Sequence, residues 1–143
     1  MSESGVIVSL TYLKNEDRLH IEFGGTSLGE LTLDFSKITG GEARALLAAA
    51  AAECMGSWLL YFLKRHIEKL GSFKMSASAH TSLTDKGNIV DKVIVELEIE
   101  VAGDESDREK YEKTIKRILQ KGCLISRSLE NGIIVEYIPI IKR

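Results

Sequence analysis

The stretch Ala43–Leu63, ARALLAAAAAECMGSWLLYFL, decides how the rest of the chain is read. It holds no proline, exceeds the length of an ordinary strand and is dominated by Ala and Leu, so it predicts a helix. Its apolar residues run round every side instead of forming one stripe, which predicts burial on most faces. The alanine run Ala48–Ala52 leaves little side-chain bulk, so a neighbouring sheet or helix can approach its backbone closely. Cys54 lies in that narrow setting beside Glu53, and its neighbours on a helical surface are Ala50, Ala51, Ser57, Trp58 and Tyr61. Two plainer readings compete. The run approaches the roughly 20 residues of a membrane span, but Glu53, Gly56 and Ser57 at its centre and strand-like segments on both sides oppose that reading. Taken alone, Cys54 is also well read as an inert buried thiol, because free Cys is among the most buried residue types.

Towards the N-terminus the pattern has period two. GVIVSLTYL puts Val6, Val8, Leu10 and Tyr12 on one face. After the turn signal Asn15-Glu16-Asp17, Leu19, Ile21 and Phe23 point one way, with Arg18, His20 and Glu22 opposite. Gly24-Gly25 breaks the run, and Leu31, Leu33 and Phe35 alternate again, giving a three-stranded antiparallel meander. Towards the C-terminus, Lys64, Arg65, His66 and Lys69 suit a helix end and Gly71 the residue beyond it. Phe73, Met75, Ala77 and Ala79 then alternate with polar residues up to the turn Lys86-Gly87-Asn88. A long strand follows, with Val93, Val95, Leu97, Ile99 and Val101 on one face and Glu96, Glu98 and Glu100 on the solvated one. Ser106-x-x-Glu109 predicts the capped start of an amphipathic helix carrying Tyr111, Ile115, Ile118 and Leu119, closed by Gly122. Cys123 comes next, then a short helix in LISRSLENG and a last strand, IIVEYIPII, whose Pro139 suits an edge or bulge. The order β-β-β-α-β-β-α-(short α)-β predicts an α+β fold with an antiparallel sheet.

At 143 residues the chain is read as one domain, residues 1–143. A net charge of −2 with signs interspersed excludes a basic nucleic-acid-binding field. MSESGVIVSL has neither the positive region nor the apolar run of a signal peptide, so the expected location is cytoplasmic. In that compartment two cysteines are read as catalytic, redox-active or unremarkable before they are read as a permanent disulfide. His20, His66 and His80 are scattered and none has metal-ligand spacing with a cysteine, so neither a metal nor another cofactor is expected.

This arrangement resembles the OsmC/Ohr family of thiol-dependent peroxidases. Two motifs carry the resemblance: LLAAAAAECMGSWLLYFLKR, an Ala-rich segment running into Cys54, and Cys123-Leu-Ile-Ser126-Arg-Ser-Leu129, which is similar to the family's CPVS-like segment. The resemblance covers nearly the whole chain in element order. It implies an intertwined homodimer with a long buried central helix and two sites at the subunit interface. It also implies that Cys54 attacks the O–O bond of an organic hydroperoxide and becomes a sulfenic acid. Cys123 then condenses with it to a disulfide, and a small or lipoyl-type dithiol restores the pair. A resolving thiol is needed because a sulfenic acid left alone is over-oxidised irreversibly. Trp58, Tyr61, Ala51 and Leu124 are the expected walls for an alkyl hydroperoxide. Arg18, the arginine of the N-terminal sheet, is the candidate cation for the thiolate, and Glu53 the candidate carboxylate; as a strand residue beside a turn, Arg18 also fits a solvated surface.

The chain departs from the family pattern at three places. The carboxylate that precedes the first Cys in active members is replaced by Arg44 and Ala45, and Glu42 lies too early. Arg44 would stand roughly 15 Å up the same helix from Cys54. Leu124 replaces the proline of the second motif. Burial raises a thiol's pKa and a neighbouring carboxylate raises it further, so only a cation or hydrogen-bond donors can lower it. Cys123, at the start of its short helix, is better placed for such donors than Cys54. The alternative function is therefore a binding protein of the same fold, holding a thiol-bearing or acyl ligand with little turnover.

Overall fold

The structure, a computed structural model, describes residues 5–66, 70–101 and 104–130. They fall into two compact units, residues 1–43 and 44–143. The expected last strand with Pro139 lies outside the described residues.

The first unit is the predicted meander. Strands β1 (Ile7–Leu13), β2 (Arg18–Gly24) and β3 (Gly29–Asp34) pair antiparallel in that order. Leu10 faces Ile21, and Ile21 faces Leu31, so the apolar side chains fall in one cross-strand row. The turn between β1 and β2 puts Asp17 at φ 52°, a conformation Asp tolerates, and the Tyr12 hydroxyl donates to Asp17 Oδ1 at 2.7 Å. Every residue of β1 is exposed, so its alternation marks a face without burying it in a single chain.

Helix α1 (Glu42–His66) is the predicted central helix, and Lys69 of its expected end lies outside the described residues. Its start is a capping device that the expected carboxylate pattern did not reveal. Glu42 reaches back to accept from the Thr39 N–H, at 3.0 Å, and from the Gly40 N–H, at 2.9 Å, while Thr39 Oγ1 accepts from the Gly41 N–H. The backbone donors of Thr39 lead the causes that hold the Glu42 carboxyl below its ordinary value. Glu42 is thus engaged in ending a loop.

In the second unit α1 packs against the hairpin of β4 (Leu70–Thr84) and β5 (Gly87–Val101) and against α2 (Glu105–Lys121). Leu59 and Leu63 have no exposed surface and sit among Phe62, Phe73, Leu97, Ile99, Tyr111 and Ile118. Burying each stabilises the fold by about 1.5–3 kcal/mol. Within a single chain that burial falls on one side of the helix. One stripe is buried, Ala48, Ala51, Met55, Leu59 and Leu63, whereas Leu46, Trp58 and Tyr61 are exposed. One hairpin and one helix can cover only one side of a helix. By length and composition α1 could cross a membrane, but its buried stripe faces protein. Gly56 makes the closest approach, since a Cβ there would stand 2.7 Å from Met75 Sδ.

Three local expectations shift. Gly71 falls inside β4, so it is not the residue that ends α1. The hairpin turns over Asp85-Lys86, with Thr84 opposite Gly87, slightly earlier than expected. Asp104, not Ser106, caps α2: its side chain accepts from the Asp107 N–H at 2.9 Å, and an Asp at that position is at least as good an acceptor as Ser. Between His80↔Lys92 and Thr81↔Val90 the register slips, leaving Asp91 as a bulge residue in β5.

Candidate active site

Gly122 ends α2, its N–H donating to Leu119 O at 3.2 Å, and turns the chain at φ 72° into Cys123 and helix α3 (Leu124–Glu130). A side chain at 122 would collide with Ser126 Oγ, 2.8 Å from where a Cβ would lie. Glycine therefore supplies both the conformation and the space for Ser126. That hydroxyl accepts from the Cys123 N–H at 2.8 Å, which directs its own hydrogen elsewhere. Two acceptors are within reach, Cys123 O at 3.2 Å and Cys123 Sγ at 3.5 Å. A thiolate at Sγ would draw the hydrogen to itself, because bonds to charged acceptors are the stronger.

Both cysteines are free and near each other, Cys54 half-buried on α1 and Cys123 buried, close enough for each to influence the other's acidity. Their environments push the two sulfurs apart in acidity. Burial pushes the Cys54 thiol up and its interaction with Cys123 pushes the same way, outweighing the Ile125 and Leu124 backbone donors. Burial also pushes Cys123 up, but the Ser126 hydroxyl, the Ser126 and Ile125 N–H groups and the Cys54 thiol together carry it below the ordinary value. Donors can thus favour a buried thiolate without a cation.

Beside Cys123 opens a cavity of about 610 Å³. Leu47, Ala51, Met55, Val95 and Leu119 give it apolar walls, and the bulge residue Asp91 and Lys92 stand on its β5 side. Of the residues expected at the site, Cys54, Cys123 and Ala51 are brought together. Leu124 contributes its backbone N–H towards Cys54 while its side chain is exposed. Trp58 and Tyr61 line a different cleft, of about 370 Å³, with Arg65, Arg117 and Lys121, and Arg65 lies over the Tyr61 ring at 4.9 Å. Glu53 is exposed and accepts from Ser57 Oγ at 2.6 Å. Arg18 is exposed at the start of β2, opposite Asp34, whose carboxyl it helps to lower after the larger effect of Ser36. Ser126, in the second motif, is a site residue that motif reading alone does not assign a role. Its signal was the three-residue spacing from Cys123, that of a residue reaching back to a helix cap.

One group of possible metal ligands occurs among the described residues. His20, Glu22 and Glu30 bring their ligand atoms within 4.8 Å of one another on the β2–β3 face. His20 Nε2 lies 3.3 Å from Glu22 Oε1, and both glutamates are mostly solvated, as an ordinary ion-paired sheet surface would be.

No match is found among curated proteins. Among solved structures, an OsmC-like protein of unknown function from Vibrio cholerae O1 biovar eltor is similar in fold, with a TM-score of 0.60 at 19% identity. The likeness covers 89% of this chain and 93% of that one. The family model described as OsmC-like protein matches residues 39–138, a span that holds α1, the β4–β5 hairpin, both cysteines and Ser126. The order of elements, the paired thiols and this match agree, and the chain belongs to the OsmC-like protein family.

Proposed function

We propose that this protein is a thiol-dependent peroxidase that reduces organic hydroperoxides through a sulfenic acid and a Cys54–Cys123 disulfide. The observation that supports the reading is the proximity of two free thiols, close enough to influence each other's acidity, beside an apolar cavity. One thiolate attacks an oxygen of the O–O bond, which breaks, and the alkoxide leaves and takes a proton to become the alcohol. The second thiol attacks the sulfenic sulfur, a disulfide forms and water departs. A dithiol, small or lipoyl-type, reduces the disulfide by two exchanges and is itself oxidised. Apolar walls suit an alkyl or aryl hydroperoxide better than hydrogen peroxide. Turnover of cumene hydroperoxide with dithiothreitol, absent when both cysteines are replaced by Ser, is the expected result; two free thiols after stoichiometric hydroperoxide would refute it.

The raised pKa of Cys54 favours a second reading, in which the cavity holds a thiol-bearing or acyl ligand without turnover. Native mass spectrometry of the purified protein tests it by a retained mass. A cytoplasmic homodimer is part of the first proposal. It is supported by the exposed apolar side chains of β1 and by Trp58 and Tyr61 on α1. A stable folded monomer in light scattering at micromolar concentration would sink the dimer.

A further inference from the structure

We propose that the cleft between α1 and α2 is a second ligand site, distinct from the paired thiols, and that it binds a small molecule made of a planar aromatic ring and a phosphate.

Both walls follow from helical spacing. Trp58, Tyr61, Phe62 and Arg65 lie at i, i+3, i+4 and i+7 on α1, so they share one face. Thr114, Arg117, Ile118 and Lys121 repeat that spacing on α2. The two faces border a volume of about 370 Å³. Phe62 and Ile118 pack against the buried Leu59 and Leu63, which fixes the floor. Trp58 is 61% exposed and Tyr61 60%, so ring faces are open to a ligand. Such rings favour a planar group that can stack on them in an offset arrangement.

The anion follows from charge. Among the described residues Arg65, Arg117 and Lys121 border the cleft, no Asp or Glu does, and none of these cations forms an ion pair. The residues one turn from Arg117 are Lys113, Thr114, Gln120 and Lys121, so α2 supplies it like charges and no counter-charge. Lys116 shows the usual arrangement, with its Nζ 2.9 Å from Glu112 Oε1. Arg65 and Lys121 stand in the last turns of their helices, where a cation is favoured for its own sake. Arg117 lies a full turn before that end, where the helix dipole no longer accounts for it. Arg65 is already held, its guanidinium 4.9 Å from the centroid of the Tyr61 ring. The Thr114 hydroxyl donates to Lys110 O at 3.1 Å, so the cations are left to bind the anion. Two guanidinium forks and an ammonium match the several oxygens and double charge of a phosphate ester better than one carboxylate. Neither Cys nor His lines the cleft among the described residues, so it is a binding site and not a second reaction centre. In the homodimer proposed above, a two-fold contact sets like patches together, so a second copy against Trp58 and Tyr61 would add cations to the cleft.

Trp58 is the one tryptophan of the chain, so its emission reports on this cleft directly. Titration of the wild-type protein with phenyl phosphate should give a saturable change in emission with a Kd of about 1 mM or tighter, and calorimetry should give the same constant. Phenol and inorganic phosphate, each half of the ligand, should bind at least about tenfold more weakly. AMP tests the source of the same chemistry: tighter binding than phenyl phosphate assigns the site to nucleotides, weaker binding to simple aryl phosphates. Arg65→Gln and Arg117→Gln should each lower the affinity about tenfold, the loss of one hydrogen bond to a charged group. Lys116→Gln, outside the cleft, should leave it unchanged. No saturable signal by either method overturns the inference, as does binding of phenol or inorganic phosphate as tight as that of phenyl phosphate. Arginine variants that bind like the wild type, or a Lys116→Gln protein that weakens as much as they do, also overturn it.

Discussion

Gly122→Ala probes how the turn between α2 and α3 builds the thiol site. Gly122 has φ 72° and ψ −179°, a region open to glycine that costs another residue about 1–3 kcal/mol. The added Cβ would also meet Ser126 Oγ at 2.8 Å and Arg127 Cγ at 3.6 Å. The first approach is closer than real Cβ atoms come, so Ser126 must turn away. The part-buried Cys123 N–H then loses its acceptor, at a cost of about 0.5–1.5 kcal/mol. Alanine's helix propensity offsets none of this, because the position lies at the helix end in a non-helical conformation. The expected loss is about 2–4 kcal/mol, which moves a urea midpoint by about 1–2 M. Ser126→Ala removes the hydrogen bond without the strain and should lose only about 1 kcal/mol. The comparison of the two variants separates strain from bonding. A Gly122→Ala protein within about 0.5 kcal/mol of the wild type, the range of an ordinary surface change, would refute the role given to this glycine.

Gly56→Ala gains up to about 1 kcal/mol of helix propensity but drives a Cβ to 2.7 Å from Met75 Sδ, an overpacking of about 1–3 kcal/mol. A net loss of about 1 kcal/mol in urea is expected, and a stabilised variant would mean that Met75 swings away freely. Ala51→Leu projects into the cavity beside Cys123. It should destabilise by no more than about 1–3 kcal/mol, the cost of overpacking, yet slow the reaction with cumene hydroperoxide more than with hydrogen peroxide. Equal slowing would show that the organic group does not occupy this cavity. In wild-type protein, iodoacetamide should reach its half-maximal rate on Cys123 at a pH below that of an ordinary thiol, and on Cys54 above it, because thiolate persists to lower pH where the pKa is lowered. Peptide mapping that finds the opposite order contradicts the assignment of acidity.

Most of the fold was legible because two periodicities are written plainly in the chain. Lys74, Ser76 and Ser78 are exposed between the half-buried Phe73, Met75, Ala77 and Ala79, as the alternation required. What stayed hidden depended on neighbours that a sequence pattern does not name. A helix apolar on every side says that something covers it, but not what, and one chain buries only the stripe through Ala48, Ala51 and Met55. The cap of α2 was misplaced because Ser106-x-x-Glu109 matched a spacing, while Asp104 held the better-placed oxygen. The bulge at Asp91 was hidden because alternation reads the same on either side of a single inserted residue, with its phase reversed.

The site shows the same limit from another direction. Cys54 drew attention through its helix, whose alanines invited the idea of a narrow pocket around that sulfur. Small residues on a packed stripe do make room, but Ala51 gives its room to the cavity that Cys123 lines. Burial acts on both sulfurs and disfavours both thiolates, so burial cannot decide which one reacts. Donors set the two sulfurs apart in acidity, and those that act on Cys123 and not on Cys54 come from Ser126 in the turn after α2, its hydroxyl and its N–H. Only a chain free to turn at Gly122 can aim those donors at Cys123 while the Leu124 and Ile125 N–H groups face Cys54 across the gap. Two motifs far apart in sequence thus form one site, and the residue that joins them carries no side chain at all.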